Sequence, residues 1–126
     1  SGLTVLVVED EPDALDLIRV VLEQGGARVT AARDAAGALA AFDAARPDVL
    51  VADIGMPGED GYQLIRRVRA LGLERGGRVP AIALTAYAGE GDRARALAAG
   101  FHLHIPKPVD PAELVRLVAG VAGEQV

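Results

Sequence analysis

The chain has 126 residues, a net charge of −5 and no cysteine. This bounds it to about one domain, excludes disulfides, thiolate metal sites and a cysteine nucleophile, and argues against a basic nucleic-acid face. No apolar run approaches the ~20 residues that cross a bilayer, and Leu3–Val8 is too short for a signal peptide and runs into acids, so a cytoplasmic domain touching neither nucleic acid nor membrane is expected.

Leu3–Val8 is continuously apolar and reads as a strand buried on both faces. Asp13–Gln24 sets Leu15, Ile18, Val21 and Leu22 on one helical stripe, and Gly25-Gly26 ends it. Arg28–Ala32 is a short strand. Asp34 caps an alanine-rich helix reaching about Ala45. Asp48–Ile54 is a second strongly apolar strand, and Gly61–Leu71 carries Leu64, Ile65, Val68 and Leu71 at helical spacing. A polar, glycine-rich loop at Arg75–Arg78 leads to a third apolar strand, Pro80–Ala86. Glu90–Ala99 is a helix with Leu97 as its one large apolar anchor, Phe101–Ile105 a short strand, and Asp110-Pro111 starts the last helix with Glu113 completing the cap.

Strands and helices alternate strictly, which implies one parallel sheet covered on both faces. The first, third and fourth strands are uniformly apolar and should be central. The second and fifth alternate and should be edges. This is an α/β, doubly wound (βα)5 flavodoxin-like domain with strand order 2-1-3-4-5.

In such a sheet, ligands bind beyond the carboxyl ends of the strands. Glu9 and Asp10 follow the first strand, Asp53 closes the third, Thr85 ends the fourth and Lys107 follows the fifth. Taken singly, each has an ordinary reading: a solvated acidic turn, a turn cap, a β residue, a solvated lysine. Together they place three carboxylates and one ammonium on one rim. Two carboxylates ~4 Å apart repel by about 4 kcal/mol at an effective dielectric of ~20, so the cluster calls for a cation. All-oxygen ligands with an open side suit Mg²⁺, which also accepts phosphate oxygens. Asp53 then becomes a nucleophile able to form an aspartyl-phosphate.

The pieces Val7-Val8-Glu9-Asp10-Glu11-Pro12, Asp53-Ile54-Gly55-Met56-Pro57, Ala83-Leu84-Thr85-Ala86 and Pro106-Lys107-Pro108 resemble, in this order and spacing, the receiver domains of two-component response regulators, from Leu3 to about Val121. The resemblance implies one CheY-like receiver domain over 3–122. Its phosphoacceptor would be Asp53, with Thr85 and Lys107 contacting the phosphoryl group. Asp10 and Asp53 would be direct Mg²⁺ ligands, Glu9 a ligand through water, and Gly55 a ligand by its carbonyl. The bond from Lys107 to Pro108 would be cis. The implied partner is a histidine kinase or histidine phosphotransfer domain. Such a chain catalyses its own phosphotransfer and dephosphorylation and turns over no separate substrate. The Asp53 to Gly61 wording, the loop Glu74-Arg75-Gly76-Gly77-Arg78 and the stretch Gly100 to Pro111 are similar to receivers fused to hybrid sensor kinases. Thr85 and the residue three before the lysine would form the switch. That residue is often Tyr or Phe in receivers; here it is His104, smaller and polar, and otherwise a plain edge-strand histidine.

A haloacid-dehalogenase-type phosphatase needs a second Asp two residues after the nucleophile, where Gly55 stands. A dinucleotide-binding turn at Gly89-Glu90-Gly91-Asp92-Arg93-Ala94 carries acids that would repel a pyrophosphate. A pseudo-receiver that only docks partners would have lost an acid, the Asp or the Lys, and none is lost.

Overall fold

The computed structural model describes residues 2–55, 58, 60–86 and 90–123; Met56, Pro57, Glu59 and Gly89, named above, lie outside the described residues. In chain order the elements are β1 (Thr4–Val8), α1 (Pro12–Gln24), β2 (Arg28–Ala32), α2 (Ala35–Ala45), β3 (Val49–Asp53), α3 (Gly61–Arg69), a 3-10 turn (Leu73–Arg75), β4 (Ala81–Thr85), α4 (Glu90–Ala99), β5 (Leu103–Pro106) and α5 (Pro111–Gly123). All strand pairs are parallel and the order is β2-β1-β3-β4-β5. The three apolar strands are central and the two alternating ones are edges, as the sequence predicts.

Side chains alternate across the sheet and build two cores. Val5, Val7, Val49, Val51, Ile82, Leu84 and Ile105 pack against Leu15, Ile18 and Leu22 of α1 and Leu114, Val118 and Val121 of α5. Leu6, Val8, Leu50, Ala52, Ala81 and Ala83 face Phe42 of α2, Leu64, Ile65 and Val68 of α3 and Ala96 and Ala99 of α4. Small residues on the strands, Ala52, Ala81 and Ala83, let the helices approach closely, and Phe42, Tyr62 and Phe101 fill volume on that same face.

Local chemistry sets the helix starts. Glu11 accepts from the Asp13 amide with Pro12 in the first turn. Asp34 accepts from the Gly37 amide at 2.6 Å. Asp60 and Gln63 form a reciprocal capping box at 3.0 and 2.8 Å. Asp110 accepts from the Ala112 and Glu113 amides.

Three expectations change. Leu97 is not an anchor: it is 45% exposed, while Ala96 and Ala99 are buried, because the inward stripe of this helix falls on its alanines. β5 starts two residues later than predicted, since His102 caps the strand's approach: its amide donates to the Ala81 carbonyl at 2.8 Å and its Nδ1 accepts from the Ala81 amide at 3.2 Å. The helix expected over Gly61–Leu71 ends at Arg69, and a 3-10 turn over Leu73–Arg75 runs into the loop expected at Arg75–Arg78.

Candidate functional site

Each central strand delivers a polar group at its carboxyl end. Glu9, one residue past β1, is fully buried; its Oε1 accepts from Lys107 Nζ at 2.7 Å and its Oε2 from the Glu11 amide at 3.2 Å. Asp53, the last residue of β3, is 6% exposed. Its Oδ1 accepts from the Gly55 amide at 3.1 Å, and its Oδ2 lies 3.3 Å from Lys107 Nζ. Thr85 closes β4 and is buried. Its carbonyl accepts from the Lys107 amide at 2.7 Å, which pins the lysine's backbone beside β4. The peptide between Lys107 and Pro108 is cis, as the resemblance implies. Asp10 is half-buried, and single oxygens of Glu9, Asp10 and Asp53 lie within 4.8 Å of one another. The run Glu9-Asp10-Glu11 therefore splits: two acids enter the cluster and Glu11 caps α1.

Burial pushes the Glu9 carboxyl above its usual range, and the neighbouring Asp53 adds to this; the Lys107 bond pulls the other way without cancelling it. For Lys107 burial alone would lower the ammonium's pKa, but the Glu9 hydrogen bond and the charges of Asp53 and Glu9 outweigh it and raise the value. One ammonium against three carboxylates leaves the cluster short of positive charge. A hard, oxygen-seeking divalent cation fits that donor set. Glu9 is fully buried with both oxygens engaged, whereas Asp10 is half-buried, so Asp10 is the acid better placed to face such an ion directly.

Sequence reasoning overlooked Gly61. A Cβ there would stand 2.6 Å from the Asp53 carbonyl oxygen and 2.8 Å from the Ile54 Cα. Only glycine lets α3 start against the backbone that carries Asp53. A glycine as the first helical residue after an Asp cap was the available signal. His104 pairs in register with Ala83 on edge strand β5 and is half-buried. Its Nδ1 is buried without a hydrogen-bond partner among the described residues, so it is not a plainly exposed histidine. Pro106 is exposed at the end of β5, and Gly55 is exposed beside Asp53.

A family model described as the response regulator receiver domain matches residues 5–119. An uncharacterised 14.6 kDa protein of Leptolyngbya boryana is 52% identical over 118 residues, covering 94% of this chain and 88% of that protein. The transcriptional regulatory protein TrcR of Mycobacterium tuberculosis is 38% identical over 96% of this chain, but the match spans only 46% of the regulator's own length. Among solved structures, the receiver domain of a sensor histidine kinase from Pseudomonas aeruginosa, described with a magnesium ion coordinated in its active-site cleft, is 39% identical with a TM-score of 0.86, covering 98% of this chain and 99% of that one. Among the described residues, no helix is long and apolar enough to cross a membrane.

Proposed function

Because the chain belongs to the response regulator receiver domain family of two-component systems, we propose that it accepts a phosphoryl group on Asp53 from the phosphohistidine of a histidine kinase or a phosphotransfer protein, with Mg²⁺ held by Asp10, Asp53, the Gly55 carbonyl and, through water, Glu9. The phosphoacceptor unit spans 3–122. The observation that carries this reading is the position of Lys107: an ammonium brought from the end of β5 to 3.3 Å from Asp53 and 2.7 Å from Glu9, at the edge of a three-carboxylate cluster. Its similarity to a sensor kinase's receiver supports a kinase-type donor, in the same polypeptide or another.

In the transfer, a carboxylate oxygen of Asp53 forms the new O–P bond as the P–N bond to the donor imidazole breaks. The imidazole leaves with the electron pair and takes its proton from solvent. The Gly55 amide and Lys107 orient the Asp53 carboxylate before attack. Lys107 then turns from Glu9 toward a phosphoryl oxygen, and the Thr85 hydroxyl donates to another. A divalent cation bound here supplies the positive charge that offsets the acids and the incoming phosphate. Thr85 drawing toward Asp53 gives the surface of α4, β5 and α5 a second arrangement, with His104, on the α4-facing side of β5, as the side chain that adjusts.

The test is intact-mass spectrometry after incubation with phosphoramidate, with Mg²⁺ or with EDTA. One phosphoryl adduct should form with Mg²⁺, none with EDTA and none in Asp53→Asn. An adduct of equal yield in Asp53→Asn would overturn the reading.

A further inference from the structure

Helix α4 is attached to the domain in an unusual way. Its buried side chains are the alanines Ala96 and Ala99, and its one large apolar residue, Leu97, faces outward. Two arginine contacts with α3 supply what apolar bulk does not. At the carboxyl end, Arg69 of α3 donates from Nε and a terminal nitrogen to the Gly100 carbonyl at 3.0 and 2.6 Å. The same guanidinium also donates to the Gly77 and Val79 carbonyls at 2.9 and 2.6 Å. Gly100 itself sits at φ +127 with Arg69 against it. Halfway along α4, the Arg95 guanidinium lies 4.2 Å from the centroid of the Tyr62 ring.

The two contacts are unequal. Arg69 makes four charge-assisted bonds to part-buried backbone carbonyls and is a fixed end. Arg95 is an exposed side chain resting on one ring face, a contact of the weak class. Tyr62 is also the neighbour of Gly61, which lies on the Asp53 backbone. We infer that α4 is an arm hinged at Gly100 by Arg69 and latched at its middle by Arg95 on Tyr62, and that breaking the latch frees the half of the helix nearer β4 while the Gly100 end stays in place. Arg95 stands five residues from the hinge, roughly 7.5 Å along the axis, and the start of the helix is twice as far, so the turns between residue 90 and Arg95 lie beyond the latch and open first when it is broken. The device stands whether or not Asp53 is phosphorylated.

Site-resolved amide hydrogen exchange on the whole chain tests it, comparing the parent with Arg95→Gln, Tyr62→Phe and the pair Tyr62→Leu with and without Arg95→Gln. Arg95→Gln should speed exchange at residues 94–98 about two- to fivefold, with no change at Gly100 and Phe101, whose amides bond the Ala96 carbonyl at 3.2 and 3.0 Å. Tyr62→Phe, which keeps the ring, should exchange like the parent, and Arg95→Gln should add nothing in the Tyr62→Leu background. Unchanged exchange in Arg95→Gln would overturn the latch. Equal acceleration at Gly100 and Phe101 would overturn the hinge, and equal acceleration over β1 and β3 would make the contact a general stabiliser.

Discussion

Replacing Lys107 by methionine removes the ammonium and keeps most of the apolar stem. In the folded protein this strands the fully buried Glu9 carboxylate, which loses its 2.7 Å partner, beside Asp53, which loses a charge 3.3 Å away. Breaking a buried pair from one side costs about 3–5 kcal/mol. The lysine side chain is 30% exposed, so solvent already shares its charge, and a loss of about 2–3 kcal/mol at pH 7.5 without metal is expected. Protonation limits the damage. Glu9 already sits above the ordinary 4.5 because of burial, and the Lys107 bond, ahead of the Glu11 amide, pulls it down; without the lysine it moves higher. A carboxyl raised in the folded state contributes stability that is complete below its unfolded value and is lost as pH rises through the folded value. The stability gap between parent and Lys107→Met should therefore be wide at pH 7.5 and narrower at pH 5. Lys107 itself does not titrate in this window, since its own pKa is raised above 10.5. Urea unfolding followed by circular dichroism in EDTA at both pH values measures the gap. A gap independent of pH, or a variant more stable than the parent at pH 7.5, would refute the reasoning.

Gly61→Ala should cost about 2 kcal/mol, because the new Cβ meets backbone atoms at 2.6 and 2.8 Å that cannot step aside, and it should slow phosphoryl uptake by moving Asp53; thermal melts and phosphorylation rates check the two effects. Millimolar Mg²⁺ should raise the melting temperature of the parent by binding the folded state, and Asp10→Ala should remove most of that gain, read by calorimetry. His104→Phe replaces a buried nitrogen that lacks a partner among the described residues with an apolar ring, and should stabilise the protein by about 1 kcal/mol in urea unfolding.

Much of the fold was legible because strand burial leaves a direct mark: Val5 to Val8, Val49 to Ala52 and Ala81 to Leu84 are covered on both faces and carry no polar side chain, whereas Arg28 and Thr30 of β2 and His104 of β5 betray the edges. The site was legible because the topology sends every strand's carboxyl end to one rim. What escaped depended on the third dimension. By size alone Leu97 reads as the anchor, while the inward stripe is set by Ala96 and Ala99. Arg69 lies in a last turn that also carries Arg66 and Arg67, and its role arises only because the backbone at Gly77 and Gly100 comes back to it from 8 and 31 residues away. The division of Glu9, Asp10 and Glu11 among a buried ion pair, an open cluster and a helix cap is decided by where β1 stops, to within one residue, and strand ends are the least legible feature of a sequence.

The central claim is that the phosphoryl group resides on Asp53. An acyl phosphate is reduced by borohydride to the corresponding alcohol, which marks the carboxylate that carried it. Peptide mass spectrometry of the protein treated with phosphoramidate and Mg²⁺ and then with borohydride should find position 53 converted to homoserine, with Asp10 and Glu9 intact. Homoserine at position 10, or no conversion in protein that carries the phosphoryl mass, would contradict the account.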